Sequence, residues 1–597
     1  MRIQPFPWIG VLAVCSLTAG TPLANMKAVN ADDAARLANI YNGPRSAVAM
    51  YIWSDKYTYR AGEMLTLKWT LKTNNDLYPY TVVAFRQNNQ TGQKFYLPGN
   101  TEGATDFAGN TVAAGFQPAQ LQNATKATLG TAAVPNEPGM HTIVVQLRDY
   151  TGTRVVKAAY MKIGVVTGTT TLTGDITANR TLTNDTQWNL SGVVSVKNNA
   201  VLTIEPGTFI IGQPGSQPPS MILITRNGKI VANGTKSRPI IMTSSQAFGQ
   251  RSRGDWGGLV MLGKARVNVP ANAAGGNTAG EFFIEGIPST EDSRYGGTDD
   301  NHDCGSLKYV RVEYAGSILS PNNEINSITW GGCGKATVAD HLQASYGLDD
   351  AFEWFGGNND AKYLVGGLHA DDYVDFQLGY TGRVQYGLFY QSPDVKGNRG
   401  IEGDNSEYNA GSTPFSNPTM YNLTFIGSGA VGFDEGASPG IFLRRGARGT
   451  FNNMVVTRFF SPGFSISDAA TQTQADGGSV KMDGVLMWNN GSGNAPPSAN
   501  TVEGQAGGGY NSLFAAGSNA GGNGKNFFAA DPMMTRPFEY SDPDFAGRFG
   551  SPLFRAGFVA PPDDGFFDQS AKFIGGIGDE DWTEEWTSFL TDEDIKQ

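Results

Sequence analysis

Residues 346–357 read YGLDDAFEWFGG, and residues 368–379 read LHADDYVDFQLG. When the two segments are aligned at an offset of 22 residues, the acid pairs coincide and Glu353 meets Asp375. A short strand-like run that repeats in this way is typical of a parallel β-helix, in which each coil buries its inward residues on the coil below at a spacing of about 4.8 Å. The repeat therefore predicts that positions 22 residues apart become vertical neighbours.

Strand alternation predicts where the acids point. It directs Phe352 and Trp354 to one side of the strand and Glu353 to the other. Asp375 falls on the Glu353 side, so the acids repeat on one face of the solenoid. A stacked row of like charges is unfavourable unless water, basic side chains or a metal ion compensates it.

Calcium is the metal that this pattern favours, because hard cations take several carboxylate and carbonyl oxygens at about 2.3–2.6 Å. The acid pairs on successive coils predict a first site, formed by Asp349, Asp350, Asp371 and Asp372. The loop TDDNHDCGS (298–306) predicts a second site, formed by Asp299, Asn301 and Asp303. That loop departs from the calcium-loop pattern, because Cys304 occupies the position of the tight-turn glycine. The alternative at both places is a set of solvated turn residues bonded to backbone amides.

The rest of the chain predicts an all-β protein with two folded regions. Residues 46–165 contain short alternating runs separated by turn residues, which favours an immunoglobulin-like β-sandwich. Residues 168–495 contain short β-rich runs closed by Gly or Asn without helical crossovers, which favours the parallel β-helix. Residues 496–597 are rich in loop-forming residues, and we expect them to cap the open end of the helix.

Composition excludes one class of function. Only 17% of the 597 residues are charged and 77 are glycine, which favours strands and turns over helices. The net charge of −11 argues against a nucleic-acid-binding surface. It permits cation binding, although a mildly acidic surface is also usual for a secreted protein.

The N-terminus predicts export. Residues 1–24 resemble a secretory signal peptide, with Arg2, a mostly apolar stretch over 8–19 and small residues after it. Cys15 lies in LAVC, which resembles a bacterial lipobox, but Val14 occupies the place where Gly, Ala or Ser is expected. No other segment has the roughly 18 continuous apolar residues of a membrane helix. We therefore expect a secreted, periplasmic or surface location.

Three cysteines remain to be placed. Removal or acylation of Cys15 leaves Cys304 and Cys333, and two remaining cysteines in an exported chain favour a disulfide. The alternative is two separate thiols.

A set of motifs between residues 170 and 590 carries a family resemblance. The motifs are LTIEPGT (202–208), GKIVANGT (228–235), GDWGGLVMLGKARVN (254–268), YGGTDD (295–300), LKYVRVEYAG (307–316), NEINSITWGG (323–332), the two acidic segments, and FIGGIGDEDWTEEWTSF (573–589). As a set they resemble secreted bacterial β-helix proteins that are often labelled lipoproteins. The resemblance implies a right-handed parallel β-helix, the superfold of pectate lyases, and implies no particular activity. The sandwich region lies outside it.

Glycan cleavage is an alternative chemistry for the same acids. Hydrolysis needs two carboxylates about 5–9.5 Å apart across a sugar. The candidate catalytic acids are Asp349, Glu353, Asp371 and Asp375, and the candidate sugar-stacking rings are Tyr346, Trp354, Tyr373 and Tyr380. A lyase needs a base instead, and the basic residues near these acids in sequence are Arg311, Lys362 and Arg383. No diagnostic signature selects any of them.

Other chemistries find less support. The four histidines (His141, His302, His341 and His369) show no zinc spacing, and we interpret His341 and His369 as structural. The chain contains no Walker loop and no supported serine elbow. The leading hypothesis is a calcium-stabilised protein that binds an extracellular polysaccharide, matrix or cell-envelope component. The alternatives are a polysaccharide lyase or glycoside hydrolase and a purely structural envelope component.

Overall fold

The computed structural model describes residues 48–73, 81–89, 92–96, 100–101, 115–116, 124–148, 155–216, 218–273, 277–320, 323–391, 399–429, 438–491, 502–503, 527–528, 530–554, 557–578 and 580–595. The predicted signal peptide, residues 1–24, lies outside these ranges. The described helices are short, and none of them could span a lipid bilayer.

Two parallel sheets form the body of a β-helix. The first, here the long sheet, contains in order Gly168–Leu172, Arg180–Leu182, Thr186–Leu190, Val201–Ile204, Phe209–Gly212, Lys229–Asn233, Ile240–Ser244, Gly305–Glu313, Val338–Ser345, Asp360–Gly367, Arg383–Tyr390, Thr419–Ile426, Gly449–Asn452, Val455–Thr457, Val480–Lys481, Leu486–Trp488 and Phe527–Phe528. The second, here the short sheet, contains Val193–Val196, Met221–Ile224, Gly258–Leu262, Ile328–Gly331, Phe352–Phe355, Val374–Gln377, Ile401–Asp404, Ile441–Arg444, Phe464–Ile466 and Val502–Glu503.

Strand register matches the 22-residue repeat. Leu342 pairs with Leu364 in the long sheet. In the short sheet Glu353 pairs with Asp375. The predicted vertical neighbours are therefore real neighbours in the ladder, and the acids do repeat on one face.

Aromatic stacking fills the interior of these coils. Trp330 pairs with Trp354 across the ladder, and their ring centroids lie 4.8 Å apart at an interplanar angle of 15°. Both rings are fully buried, as is Phe352 beside them. Aromatic pairs of this kind add about 0.5–1.5 kcal/mol to the gain from burying their surface.

A second stack of rings marks a bend in the long sheet. The early coils carry two strands here, and both Lys229–Asn233 and Ile240–Ser244 pair with the single strand Gly305–Glu313. That strand bends at Tyr309, whose φ is 49°, and the next coils bend at His341 (φ 55°) and Tyr363 (φ 59°). The rings stack at 4.2 Å and 4.1 Å between centroids. We infer that this stacking offsets the cost of left-handed backbone, which is about 1–2 kcal/mol per residue.

The β-helix continues beyond its predicted end at residue 495. Phe464–Ile466 pairs with Val502–Glu503, and Leu486–Trp488 pairs with Phe527–Phe528. The Gly- and Asn-rich composition of this region concealed these strands. An eight-residue helix, Ala469–Asp476, lies between two coils and begins at Asp468, whose side chain accepts a hydrogen bond from Thr471 N.

The N-terminal region consists of two sheets around one core. One sheet contains Val48–Trp53, Met64–Thr73 and Ala124–Ala133, and the other contains Thr58–Tyr59, Val155–Val165, Gly139–Arg148, Thr81–Asn88 and Lys94–Tyr96. Residues of both sheets, such as Met50 and Ile143, share a buried cluster. The region is therefore a β-sandwich, and its immunoglobulin-like class stays a prediction.

The described C-terminal residues lie along the side of the coils, and the capping of an open end by residues 496–597 stays a prediction. Asn453 Oδ1 accepts a hydrogen bond from Val559 N at 2.7 Å, and Asn422 Nδ2 donates to Phe573 O at 2.8 Å. Further along, Trp586 meets the His341 ring edge to face at 5.7 Å. A solenoid has an exposed flank as well as exposed ends, and this segment buries the flank of the long sheet.

Shorter elements complete the described structure. They are the hairpins Asn100–Thr101 with Gly115–Phe116, Glu281–Phe283 with Arg294–Gly296, Ser317–Ser320 with Asn323–Ile325, and Met534–Arg536 with Asp544–Gly547, the 3-10 turns Glu291–Ser293 and Pro552–Phe554, and the helix Asp592–Ile595.

Candidate metal centre

A continuous row of acids runs up the outward face of the short sheet and the turn before it. Glu353, Asp375 and Glu402 occupy paired positions on three successive strands. Their carboxylates and those of the turn form three groups with ligand atoms within 4.8 Å of one another: Asp349, Asp350 and Asp371; Asp350, Glu353 and Asp375; and Asp372, Asp375 and Glu402. Asp350 and Asp375 each belong to two groups, so the three groups form one row, here called the acid row.

The second acid of each pair holds the turn together. Asp350 N donates to Asn326 Oδ1 at 3.0 Å, Asp372 N donates to Asp350 Oδ1 at 2.8 Å, and Arg399 N donates to Asp372 Oδ1 at 2.6 Å. Each backbone amide thus binds a side-chain oxygen of the coil below. Asp350 and Asp372 are 6% and 1% exposed, so they are buried supports of the turn.

The first acid of each pair is more accessible. Asp349 and Asp371 are partly exposed and lie at the outer edge of the row. On the strand that follows the first pair, Glu353 accepts hydrogen bonds from Asn326 Nδ2 and from Gln377 Nε2, the latter at 3.0 Å. Asp375 Oδ1 is buried and has no hydrogen-bond partner among the described residues. A buried carboxylate oxygen without a donor is costly, and a cation would satisfy it.

The ion pairs described for the row lie at its Glu402 end. Arg399 pairs with Glu402 at 3.0 Å and with Asp372 at 3.5 Å. Arg444 pairs with Glu402 at 2.5 Å and with Asp404 at 2.9 Å. No lysine or arginine of the described residues forms an ion pair with Asp349, Asp350, Glu353 or Asp375. The charge at this other end therefore requires protons, water or a metal ion.

The pKa values follow this division. Burial, with Asp349 and Asp372 close by, raises the pKa of Asp350 well above its usual range. Burial and the Asp375 carboxylate do the same to the pKa of Glu353. At the other end burial raises the pKa of Asp372 to about 7 and that of Glu402 to about 8, while Arg399 works in the opposite direction at both.

Three further acids extend the negative region. Glu285 lies outside the row, and burial together with Glu324 and Glu407 raises its pKa to about 8. The same Glu285 contributes to the raised pKa of Asp349, after burial as the main cause. Sequence reasoning missed these residues because the hairpin and loops that carry them are inserted between coils.

The acids of the predicted loop site have partners within the protein. Asp303 pairs with Lys229, and Asp300 pairs with Arg266 at 3.2 Å. Asp299 Oδ1 accepts the backbone N–H of Asn301 at 3.2 Å in a local turn. Asp299 and Asp303 belong to no described group of three His, Cys, Asp or Glu side chains that could hold a metal, and a calcium site that includes Asn301 stays a prediction.

The predicted sugar-stacking rings are in the wrong place. Trp354, Tyr373 and Tyr380 are at most 1% exposed and pack inside the β-helix. Tyr346 stacks on Tyr314 at 4.9 Å between centroids. Alternation had already placed Trp354 opposite Glu353, so a ring on that side of the strand belongs to the core.

The predicted lyase bases also lie elsewhere. Arg311, Lys362 and Arg383 all belong to strands of the long sheet. Arg311 pairs with Glu313, and Arg383 pairs with Asp564 at 2.6 Å. The basic residues beside the acid row are Arg399 and Arg444. The sequence offered one sign of this coil, the acidic run IEGD (401–404). It begins 27 residues after the start of the preceding short-sheet strand, so the 22-residue repeat did not reveal it.

Histidines and cysteines have structural surroundings. His369 is fully buried beside Ser327, with Nε2 and Oγ 3.0 Å apart, and burial lowers its pKa to about 3. His141 contacts Arg86 in the sandwich at 3.0 Å. Cys304 and Cys333 are joined as a disulfide with Cα atoms 5.8 Å apart, and both are fully buried. Formation of this link in the exported protein stays a prediction.

Comparison with known proteins gives one family match. The model of a family described as pectate-lyase like beta helix domain matches residues 174–526. The catalytic domain of a GH87 alpha-1,3-glucanase, solved with tetrasaccharides, is 10% identical over 77% of this chain and 97% of its own, with a TM-score of 0.25. A family 28 exopolygalacturonase from Yersinia enterocolitica is 10% identical over 76% of this chain and 88% of its own, with a TM-score of 0.18. No curated protein sequence matches significantly. The two structural similarities are too low to transfer any residue role.

Proposed function

Because the chain belongs to the pectate-lyase-like β-helix family, we propose that it acts outside the cell, where its acid row binds calcium and, through the bound ion, an acidic polysaccharide. The export signal predicted over residues 1–24 supports the location. The acid row supports the proposal of a bound calcium ion, because it supplies carboxylate ligands. The bound cation would in turn allow an acidic face to attract an anionic ligand.

The observation that carries this proposal is the close grouping of carboxylates at the end of the row that Asp349 and Asp350 occupy. Five carboxylates (Asp349, Asp350, Glu353, Asp371 and Asp375) form two overlapping groups with ligand atoms within 4.8 Å. One oxygen of Asp375 is buried without a donor. Calcium accepts 6–8 oxygen ligands in flexible geometry, whereas Mg²⁺ demands a near-ideal octahedron and retains water. Many carboxylates from different coils therefore suit calcium better.

Accessibility supports a ligand beside the ion. Asp371 lies at the partly exposed edge of the row, so an ion held there would keep coordination positions toward solvent. A uronate carboxylate is a hard oxygen ligand that would fill them. Without the ion, the row repels the same carboxylate. We therefore expect glycan binding that depends on calcium.

Calorimetry with calcium and oligogalacturonate tests both steps. Protein stripped with EDTA is titrated first with calcium and then, with calcium present, with trigalacturonate. We expect saturable calcium binding that is weakened at least tenfold in Asp349→Asn combined with Asp371→Asn, and no comparable effect of Asp563→Asn, which removes an exposed acid elsewhere. Absence of calcium binding by the parent protein at millimolar concentration would overturn the proposal.

Glycan hydrolysis is the second candidate, and one observation favours it. Burial raises the pKa of Asp372 to about 7 and that of Glu402 to about 8, and a general acid works best with a pKa near the operating pH. Hydrolysis would release reducing ends from an acidic or neutral glycan. An assay of reducing ends with Asp372→Asn as the matched variant separates the two functions, because simple binding gives no product.

A further inference from the structure

A pocket far from the acid row lies where the last coils of the long sheet meet the C-terminal segment. It encloses about 420 Å³ and is lined by Thr457, Trp488 and residues of the segment 531–548. Its floor is apolar, since Pro532, Met534 and Pro537 are buried. Pockets of about 300–1,000 Å³ with apolar floors are typical small-ligand sites. It shares no residue with the acid row.

Two aromatic rings stand at this pocket. Trp488 is partly buried, and its indole N–H has no hydrogen-bond partner in the part of the chain that the structure describes. Phe538 is 39% exposed. Flat apolar faces of this kind accept the C–H face of a pyranose ring.

Charged side chains of both signs line the pocket, namely Arg536 and Arg548 with Asp531 and Glu539. The guanidinium of Arg458 lies 4.2 Å from the centroid of the Phe538 ring. Arg548 is exposed, and neither it nor Arg458 forms an ion pair within the described ranges. Arg536 is held by Asp542 at 3.0 Å, and Glu539 is held by Lys72 at 2.5 Å. The guanidinium of Arg548 is thus the one in the described lining that forms no ion pair, and Arg458 stands beside it on the Phe538 ring.

We propose that this pocket is a second carbohydrate site and that it binds a uronate unit of an acidic oligosaccharide without a metal ion. Trp488 and Phe538 hold the sugar ring. Arg548 binds the carboxylate, because a guanidinium presents parallel donors that match a carboxylate. Asp531 Oδ1 accepts the backbone N–H of Met533 at 2.7 Å, and its second oxygen accepts a sugar hydroxyl.

The pocket differs from the acid row in the charge that would hold an anionic sugar. The row needs calcium to hold an anionic sugar, whereas arginines attract the anion directly. A glycan bound at both sites would gain from avidity, because the second contact becomes intramolecular. Binding in the presence of EDTA therefore isolates this pocket from the proposed function of the row.

The test is calorimetric titration of the full chain with trigalacturonate in EDTA, beside the neutral sugar cellotriose. We expect binding of trigalacturonate, weakened about tenfold by Arg548→Gln and by Phe538→Ala. Both side chains are exposed, so the melting temperature should not change. Asp563→Asn, at an exposed acid with no assigned role, serves as the matched control and should leave the affinity in EDTA unaltered.

Three outcomes would overturn the proposal. They are no binding of trigalacturonate in EDTA, equal affinity for cellotriose, and an affinity that neither Arg548→Gln nor Phe538→Ala changes. Because none of these results involves calcium, the pocket can fail while the acid row stands, and the reverse also holds.

Discussion

The backbone N–H of Asp372 donates to Oδ1 of Asp350 at 2.8 Å. The two residues are 22 positions apart and occupy equivalent places on successive coils. Because of this bond, the two acids of each pair have different roles. The second acid supports the turn from inside, which leaves the first acid, Asp349 or Asp371, at the accessible edge of the row.

Removal of the accessible acids should abolish stabilisation by calcium. Asp349→Ala combined with Asp371→Ala removes ligands without breaking the amide ladder. A ligand at 100 times its Kd stabilises a protein by about 2.7 kcal/mol, and the double variant should lose most of that gain. Thermal melting with calcium and with EDTA measures it. Asp563→Ala is the control, and identical melting of the parent protein under both conditions would exclude the metal.

Stability of the metal-free protein should fall as the pH rises through neutrality. The folded pKa values of Asp372 (about 7) and Glu402 (about 8) lie above those of an unfolded chain. The folded state therefore binds more protons than the unfolded state between about pH 4 and pH 8, and the free energy of unfolding decreases with pH there. Melting temperatures in EDTA at several pH values measure this slope.

Two other buried groups act in the opposite direction, so the pH experiment needs a matched variant. Burial lowers the pKa of His369 to about 3 and that of Lys162 to about 7. Each makes stability rise with pH, His369 between about 3 and 6.5 and Lys162 above about 7. The decisive quantity is the difference between the parent protein and Glu402→Gln, which should be less sensitive to pH. Equal slopes would contradict the prediction.

Trp354 should matter for stability and not for ligand binding. Its ring is fully buried against Trp330, so Trp354→Ala opens a cavity and should cost about 3–5 kcal/mol. Denaturant unfolding measures the loss. Phe538→Ala, at an exposed ring, should change stability by less than about 0.5 kcal/mol. A Trp354→Ala protein of unchanged stability would place this ring outside the core.

The ion pair between Asp592, in the C-terminal segment, and Arg251 should contribute strongly to the stability of the fold. Asp592 accepts Arg251 Nε at 2.8 Å and the Tyr314 hydroxyl at 3.1 Å, and all three side chains are buried. Asp592→Ala leaves the Arg251 charge buried without its partner and should destabilise by about 3–5 kcal/mol. Denaturant unfolding provides the measurement. Loss of less than 1 kcal/mol, as for a surface pair, would show that the flank segment contributes little.

The Cys304–Cys333 disulfide should form in exported protein and stabilise it. The pair closes a loop of 29 residues, and Cys304→Ser with Cys333→Ser should cost about 2–4 kcal/mol. Alkylation of denatured, unreduced secreted protein followed by mass measurement detects free thiols. Because both cysteines are buried, unfolding is required before the reagent can reach them. Two alkylated cysteines would contradict the prediction.

Sequence reasoning succeeded where one coil follows another without an insertion. Glu353 and Asp375 could be paired from the text of the chain, because a constant offset and strand alternation together determine which positions stack and which side they face. It failed at the next coil, where Glu402 follows Asp375 by 27 residues. A loop between coils changes the offset without changing the ladder, and nothing local shows this.

Partners across the fold were also beyond sequence reasoning. The loop acids Asp299 and Asp303 had the spacing of calcium ligands, yet Lys229 pairs with Asp303 from a strand 74 positions away. Likewise the C-terminal segment has the composition of a cap, but its hydrogen bonds follow the flank of the long sheet. Such contacts join residues from 74 to 151 positions apart.

The sequence by itself determined the β-helix, the acid row's register and the inward course of its aromatic residues, since these depend on local alternation and on a repeat of near-constant length. Only the tertiary structure decided which acids are buried supports, which face solvent and where arginines compensate them. The physical reason is that burial and charge compensation depend on inserted loops and on a distant segment, whose positions follow from packing rather than from spacing along the chain.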